Sequence, residues 1–313
     1  MKIGLVLAGG GGKGAYQIGL WKALRELGID KYISAVSGTS IGALNAVLFA
    51  MDDYNAAEEI WLNITREKVL PVDNLELITK GIKLLIGNKN INFVKKFTPK
   101  LLEQGNVSRE GLLKLLDQYI DFNKLMSISI PAYATCTELP DIKARYFKLN
   151  NYDEKTVVDI LCATSALPSI YEAVDIEGRK YVDGGMVDNI PVQPVYGEGC
   201  DIIFIAHLNN ESIVDRRRYP NTRTIQIAPS SAPGGVFTGV LDFSRESIKK
   251  RIALGYEDTM NLIAPLLEIG SYKARRAPLE AFSSASKKIA SKSRRVGAEI
   301  FTFYKKSPKK KSL

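Results

Sequence analysis

Ser40 sits in the stretch Gly38-Thr39-Ser40-Ile41-Gly42, after an apolar run, "YISAV", and before a small-residue run, "IGALNAVLFAM". A serine flanked by glycines at a strand-to-helix turn has the spacing of a nucleophile elbow, in which bare neighbours push the hydroxyl out of the chain. Parallel α/β sheets place their chemistry at this end of a strand. The helix N-terminus that follows favours developing negative charge. The same residues also describe a glycine-lined turn in which Ser40 only caps a helix. A nucleophilic serine needs a base, and the chain holds a single histidine, His207.

Two further segments bear on that need. The first is Gly9-Gly10-Gly11-Gly12-Lys13-Gly14, which follows the apolar run "KIGLVLA". As a phosphate cradle it fails, because a Walker-type loop wants Gly where Leu7 stands and Ser or Thr where Gly14 stands. Gly9, Gly11 and Gly14 do match the dinucleotide pattern, but the second strand ends in the elbow and not in a ribose-binding acid. The amides of Gly10, Gly11 and Gly12 fit an oxyanion hole better, where one lost donor typically costs about 10²–10³ in turnover. The second segment is "YVDGGMVDNIPV" (Tyr181–Val192), where Asp183 ends an apolar run and Gly184 and Gly185 let the chain turn. Its carboxylate can face a site at the same sheet edge, or it can be an ordinary Asp-Gly turn.

The elements that must position these groups read as α/β. The first fifty residues run strand, glycine loop, helix, strand, turn, helix, with Ile18, Trp21, Leu24 and Leu27 at helical spacing and Gly28 as a stop. Residues 52–125 carry amphipathic helical patterns ("NLELITKGIKLLI", "REGLLKLLDQYIDF") without strand runs, and predict a helical insertion or cap. Strand patterns return in "SISIPAYATC", "ARYFKL", "KYVDGG", "DIIFIAHL" and "TRTIQIA". Cys136, Cys162 and Cys200 are an odd number without C-x-x-C spacing, which argues against a disulfide framework or a zinc site and suits a reducing cytoplasm. No run approaches the length of a membrane-spanning helix. Residues 271–313 carry 13 Lys/Arg against Glu280 and Glu299, a net of +11, which leaves −2 on the rest of a chain whose total is +9. Within that tail, Phe282, Ala285, Ile289, Val296, Ile300 and Phe303 recur at helical spacing, with basic residues largely off the stripe, before the basic end "YKKSPKKKSL".

Taken together, the glycine loop Gly9–Gly14 with Lys13, the elbow Gly38–Gly42, "ATSALPSIYEAV" and Asp183-Gly184-Gly185 resemble the patatin-like phospholipases. The resemblance covers roughly residues 1–260. It implies a three-layer α/β/α fold with a mostly parallel central sheet and a helical insertion. It also implies a lipid acyl hydrolase working through a Ser40–Asp183 dyad with no cofactor, on a phospholipid or other fatty-acyl ester. On this reading residues 1–270 form the hydrolase. Residues 271–313 lie outside the resemblance, and their charge and apolar stripe alone predict a basic tail that either attracts anionic membrane surfaces or docks its stripe on the protein's own body. The protein is then cytoplasmic and peripheral at the membrane, with no specific nucleic-acid partner. Two alternatives stand beside it: an α/β-hydrolase with a Ser40–Asp183–His207 triad, whose chain order fits, and a non-catalytic membrane-binding scaffold.

Overall fold

The computed structural model describes residues 1–71, 81–82, 102–210, 213–232 and 234–276. Its centre is a mixed sheet of eight strands: β1 Ile3–Leu7, β2 Ile33–Thr39, β3 Ala132–Leu139, β4 Lys143–Lys148, β5 Val174–Ile176, β6 Arg179–Asp183, β7 Ile202–Ala206 and β8 Arg223–Ile227. Neighbours run β5-β6-β3-β2-β1-β7-β8, with β4 also paired to β3. The β1–β2, β1–β7, β2–β3 and β7–β8 pairs are parallel, and β3–β4, β3–β6 and β5–β6 are antiparallel. The unbroken apolar sequence of β1 follows from burial on both faces. Ile3, Leu5 and Leu7 join the larger core, while Val6 points to the opposite face and packs with Val192 and Val195.

Helices cover both faces. One layer holds α1 (Ala15–Glu26), α2 (Ile41–Ala50), α3 (Tyr54–Asn63) and the long α9 (Arg245–Arg276), and α8 (Val192–Gly197) lies on the other. Helix α1 stops where its sequence says it should. Gly28 takes a φ of +69°, and the amides of Gly28 and Ile29 close back onto Arg25 and Leu24. Short helices α4 (Arg66–Val69), α5 (Glu110–Tyr119) and α6 (Phe122–Ser127) come between α3 and β3, and Leu112 and Leu116 of α5 enter the main core. The helical pattern expected in "NLELITKGIKLLI" falls almost wholly outside the described residues. Helix α7 (Glu154–Thr164), capped by the Asp153 side chain on the amide of Thr156, packs on β3 and β5.

One strand expectation needs correction, and one strand goes beyond the expected set. The run "SISI" before β3 is not a strand, because α6 reaches Ser127 and Pro131 has no amide to give a ladder. The Asn150 side chain instead bonds the carbonyls of Ile128 and Ile130 and the amide of Ala132. The three-residue β5 was not anticipated at all.

The pairing of β3 sets the site. Tyr133–Glu138 pair with β4 along one edge. Along the other edge β2 runs parallel as far as Thr39, opposite Thr135, and β6 takes over antiparallel from Asp183, opposite Cys136. Strands β2 and β6 therefore meet end to end.

Helix α9 crosses α1 at backbone contact distance. A Cβ on Gly19 would lie 1.8 Å from the Ile252 carbonyl oxygen, and one on Gly255 would lie 2.0 Å from that of Tyr16. Gly255→Val should therefore cost about 3 kcal/mol by forcing the helices apart. The check is the thermal unfolding midpoint, which should fall clearly, whereas Ala253→Val on the exposed side of the same helix should leave it nearly unchanged.

Candidate active site

Ser40 occupies the abrupt turn between β2 and α2, with φ 55° and ψ −128°, a conformation that non-glycine residues rarely hold without surrounding constraint. The constraint is visible. Its amide donates to Thr164 Oγ1 at 2.9 Å, and that hydroxyl donates onward to the Thr135 carbonyl. Neighbouring backbone leaves no room for side chains. A Cβ on Gly38 would stand 2.1 Å from the Gly42 carbonyl oxygen, and one on Gly42 would stand 2.2 Å from that of Leu7. The Ser40 side chain makes no capping hydrogen bond to α2. A plain N-cap would make one, so its hydroxyl is left for other work.

Asp183 ends β6 fully buried, with its Oδ1 accepting from the Gly185 amide at 2.8 Å. Gly184 lies against β3, where a Cβ would be 2.2 Å from the Thr135 carbonyl oxygen. The Ser40 hydroxyl stands near enough to favour the charged carboxylate, yet the two do not have full hydrogen-bond geometry, and Asp183 Oδ2 is buried without a partner among the described residues. Burial dominates. It pushes the carboxyl from 3.8 up to about 7, against the opposing pull of the Gly185 amide and the Ser40 hydroxyl. The loop after Asp183 is stitched to β2 by Thr39 Oγ1 donating to the Asp188 carbonyl and Ser37 Oγ donating to that of Pro191. Asp188 itself accepts from the Tyr146 hydroxyl and the Ile190 amide. These bonds fix the aspartate's loop against the serine's strand.

The glycine loop folds into a single 3₁₀ turn, Gly11–Gly14, at the head of α1. Gly9 lies beside the serine, for a Cβ there would be 3.3 Å from Ser40 Cβ. Carbonyl after carbonyl is tied back. Gln17 Nε2 donates to Ala8, Asn189 Nδ2 to Gly9, the Lys13 amide to Gly10, Arg251 to Gly12 and Asn45 Nδ2 to Gly14. Asn45 is held in turn by Gln17 Oε1 and by Trp61 Nε1. The amides of Gly10, Gly11 and Gly12 have no acceptor among the described residues, as expected at a helix start. Three free donors thus lie in the loop whose Gly9 touches Ser40.

His207 lies between Ala206, whose carbonyl accepts from the Ala8 amide, and Leu208, which packs against Gly10, but its ring is engaged elsewhere. It is buried just past β7, its Nε2 bonds Gln226 Oε1 at 2.9 Å, and burial lowers its pKa. Gln226 is itself clamped by the amide and carbonyl of Val214, which makes Nε2 the protonated nitrogen and leaves Nδ1 without a partner among the described residues. No hydrogen bond joins His207 to Ser40 or Asp183. The three cysteines are free and buried, and no cluster of His, Cys, Asp and Glu suited to a metal occurs among the described residues.

Sequence reasoning missed Thr164, Gln17, Asn45 and Arg251. The first three carried a signal, being polar residues that fall on the apolar stripes of their helices, where a buried polar group needs a partner. Arg251 carried none, because its partner lies 239 residues away in the chain.

Sheet and helical layers define a three-layer α/β/α protein, with a serine–aspartate pair as the candidate site where β2 and β6 stop. A family model described as patatin-like phospholipase matches residues 5–196, and the chain belongs to that family. Among curated relatives, the lysophospholipase nte1 of Aspergillus terreus is 28% identical over 208 residues, which is 64% of this chain and 12% of that protein. An uncharacterized NTE family protein of Mycobacterium bovis is 23% identical over 208 residues, covering 66% of this chain and 49% of that one. The chain thus spans half or less of these relatives' length. In fold it is similar to the crystal structure of VipD from Legionella pneumophila, with a TM-score of 0.52 at 14% identity over 84% of this chain and 66% of that one.

A buried aspartate with a raised pKa has a signature in stability. Folding holds the Asp183 proton that the unfolded chain loses near 3.8, so this stabilisation is full below about pH 4 and is lost as pH rises through about 7. Asp183→Asn removes the buried charge. Its melting temperature relative to the parent should therefore be higher at pH 8 than at pH 4.5, and a difference independent of pH would contradict a raised pKa.

Proposed function

We propose that the protein is a serine lipid acyl hydrolase, with Ser40 as nucleophile, Asp183 as base and the amides of Gly10, Gly11 and Gly12 as oxyanion donors. The observation that carries this reading is the end-to-end meeting of β2 and β6, which sets Ser40 beside a buried carboxylate with an uncommitted oxygen. Gly9, Lys13, Gly14, Gly38, Gly42, Gly184 and Gly185 support the geometry. A carboxylate is ordinarily a weak base for a hydroxyl, and burial compensates by raising its proton affinity towards working pH. Ser40 Oγ attacks the ester carbonyl while Asp183 takes its proton, and the glycine amides hold the oxyanion. Collapse expels the alcohol, which leaves with the proton from Asp183. Water, deprotonated by Asp183, then attacks the acyl-enzyme carbonyl, and breaking of the acyl–Oγ bond frees the fatty acid as Asp183 returns that proton to Ser40 Oγ.

The family and the name of the relative nte1 point to fatty-acyl esters of phospholipids or lysophospholipids as the substrate class. The strand ends hold a two-residue device, and the commitment of His207 to Gln226 argues against a triad. An intact Ser40, Asp183 and glycine loop argue against a non-catalytic scaffold. A fluorophosphonate ester probe should label the protein, and Ser40→Ala should abolish labelling in a folded chain. Asp183→Asn should lower hydrolysis of a short-chain ester by 10³-fold or more, about 4 kcal/mol of transition-state stabilisation, while His207→Ala keeps most of it. Labelling of Ser40→Ala, or a folded His207→Ala that is dead beside an active Asp183→Asn, overturns the assignment.

The same reading makes residues 1–270 the hydrolase body, with 52–125 inserted in it, and residues 271–313 a basic tail whose first six residues continue α9. We propose that the tail holds the cytoplasmic enzyme peripherally on anionic lipid, and that nucleic acid is not a specific partner. Among the described residues no helix is long and apolar enough to cross a membrane. Leu262, Leu266 and Ile269 of α9, 41%, 49% and 54% exposed at i, i+4 and i+7, form an apolar stripe leading into the basic segment. Basic clusters gain about 1 kcal/mol per residue at such a surface. Ending the chain after Arg276 should weaken salt-sensitive co-sedimentation with phosphatidylserine vesicles and spare hydrolysis of a soluble ester. Unchanged vesicle binding would rule out this role for the tail.

A further inference from the structure

Arg251 lies outside the segment that matches the family, yet its guanidinium reaches the glycine loop. Nη1 donates to the Gly12 carbonyl at 3.1 Å and to that of Asp242, and Nη2 donates to the Thr238 carbonyl at 3.0 Å and faces Asp242 Oδ2 at 3.4 Å. The side chain is 12% exposed. A half-buried cation among three carbonyl oxygens and one carboxylate is a built arrangement, because a charge left uncompensated there would be costly.

What it touches matters more than how firmly it is held. The carbonyl of Gly12 and the amide of Lys13 are two ends of one peptide group, and that amide donates to the Gly10 carbonyl at 3.3 Å. The carbonyl of Gly10 and the amide of Gly11 are likewise two ends of one peptide group. The Gly11 amide is one of the free donors in the loop that touches Ser40. A cation on the first carbonyl draws electron density through both peptides, and hydrogen bonds in series strengthen one another. The last N–H in that series becomes a better donor. Its direction is fixed as well, since Gly11 holds a φ of +55° with a Cβ position only 2.4 Å from the Val240 carbonyl oxygen. The segment carrying Thr238, Val240 and Asp242 thus walls the loop from outside, and Arg251 fastens the two together.

We infer that Arg251 is a positioning residue for the oxyanion loop, acting through the Gly12–Lys13 and Gly10–Gly11 peptides to orient and polarise the Gly11 amide. It touches neither substrate nor Ser40. The inference rests on the oxyanion role proposed above for Gly10–Gly12. Since an oxyanion exists only in the transition state, removing Arg251 should lower kcat and spare KM.

The experiment uses the full chain and a soluble short-chain p-nitrophenyl ester, with Ser40→Ala as the control that the measured activity belongs to this site. Arg251→Met should lower kcat by about 10-fold to 100-fold, less than the loss typical of a direct oxyanion donor, with KM changed by less than about twofold. Arg251→Lys, which keeps the charge and one or two of the bonds, should recover part of that loss and guards against misfolding of the methionine variant. Inhibition by an alkyl trifluoromethyl ketone, which forms a tetrahedral oxyanion adduct, should weaken in step with kcat/KM across the three proteins. A folded Arg251→Met, or Arg251→Gln where the methionine variant does not fold, with parental kcat and ketone affinity overturns the role. So does a loss carried by KM alone, or one that leaves ketone affinity unchanged. If instead the parent has no activity that Ser40→Ala removes, the site reading itself fails and the inference falls with it.

Discussion

Everything in the site depends on one edge of β3. Strand β2 occupies that edge as far as Thr135, and β6 arrives from the opposite direction and stops at Cys136. Two adjacent residues of a single strand therefore hold the last residues of two others. A strand advances about 3.3 Å per residue, so the serine that follows Thr39 and the aspartate at the end of β6 are brought together by register. Loop flexibility contributes nothing to this. The Thr164 hydroxyl bridges the Ser40 amide and the Thr135 carbonyl and locks the junction.

The buried surroundings give each group its chemical character. Asp183 sits where burial outweighs the two donors that favour its charge, so its proton affinity rises towards neutrality. The glycine loop is built on the opposite logic. Side chains from α1, α2, α9 and the loop after β6, with one backbone amide, anchor its carbonyls, and the amides of Gly10, Gly11 and Gly12 have no acceptor among the described residues. Such fixed dipoles need no reorganisation when negative charge develops, which is the physical content of preorganisation.

Much of this was legible in the sequence because it is written in local punctuation. Glycines two residues either side of Ser40, the glycine run after β1 and the Asp183-Gly184-Gly185 turn all mark sharp changes of direction. The repeats of Ile18, Trp21 and Leu24 gave α1, and Gly28 gave its end. The non-local facts were not legible. Nothing in "KYVDGG" says that β6 runs antiparallel to β3 and shares an edge with β2, because a two-residue period carries no partner or direction. Strand β5 is three residues long, too short for periodicity to show. Arg251 reads in sequence as one basic residue of "KKRIALG", and only the fold puts it against Gly12. The triad alternative rested on chain order and on the place of His207 at the end of a strand, and neither can say whether a histidine's ring is already engaged by Gln226.

The position of β1 has a consequence for how the molecule can be divided. The segment that matches the family ends at residue 196, but β7, the neighbour of β1 on its far side, begins at Ile202. A fragment cut at the family boundary would strip β1 of one of its two hydrogen-bonded neighbours. It would expose Leu5 and Leu7 beside a row of unpaired backbone groups, the kind of bare edge that recruits other chains. The smallest piece able to fold alone is therefore larger than the piece recognisable by descent, and it has to reach through β8 to Arg251 and the crossing of α9 over α1.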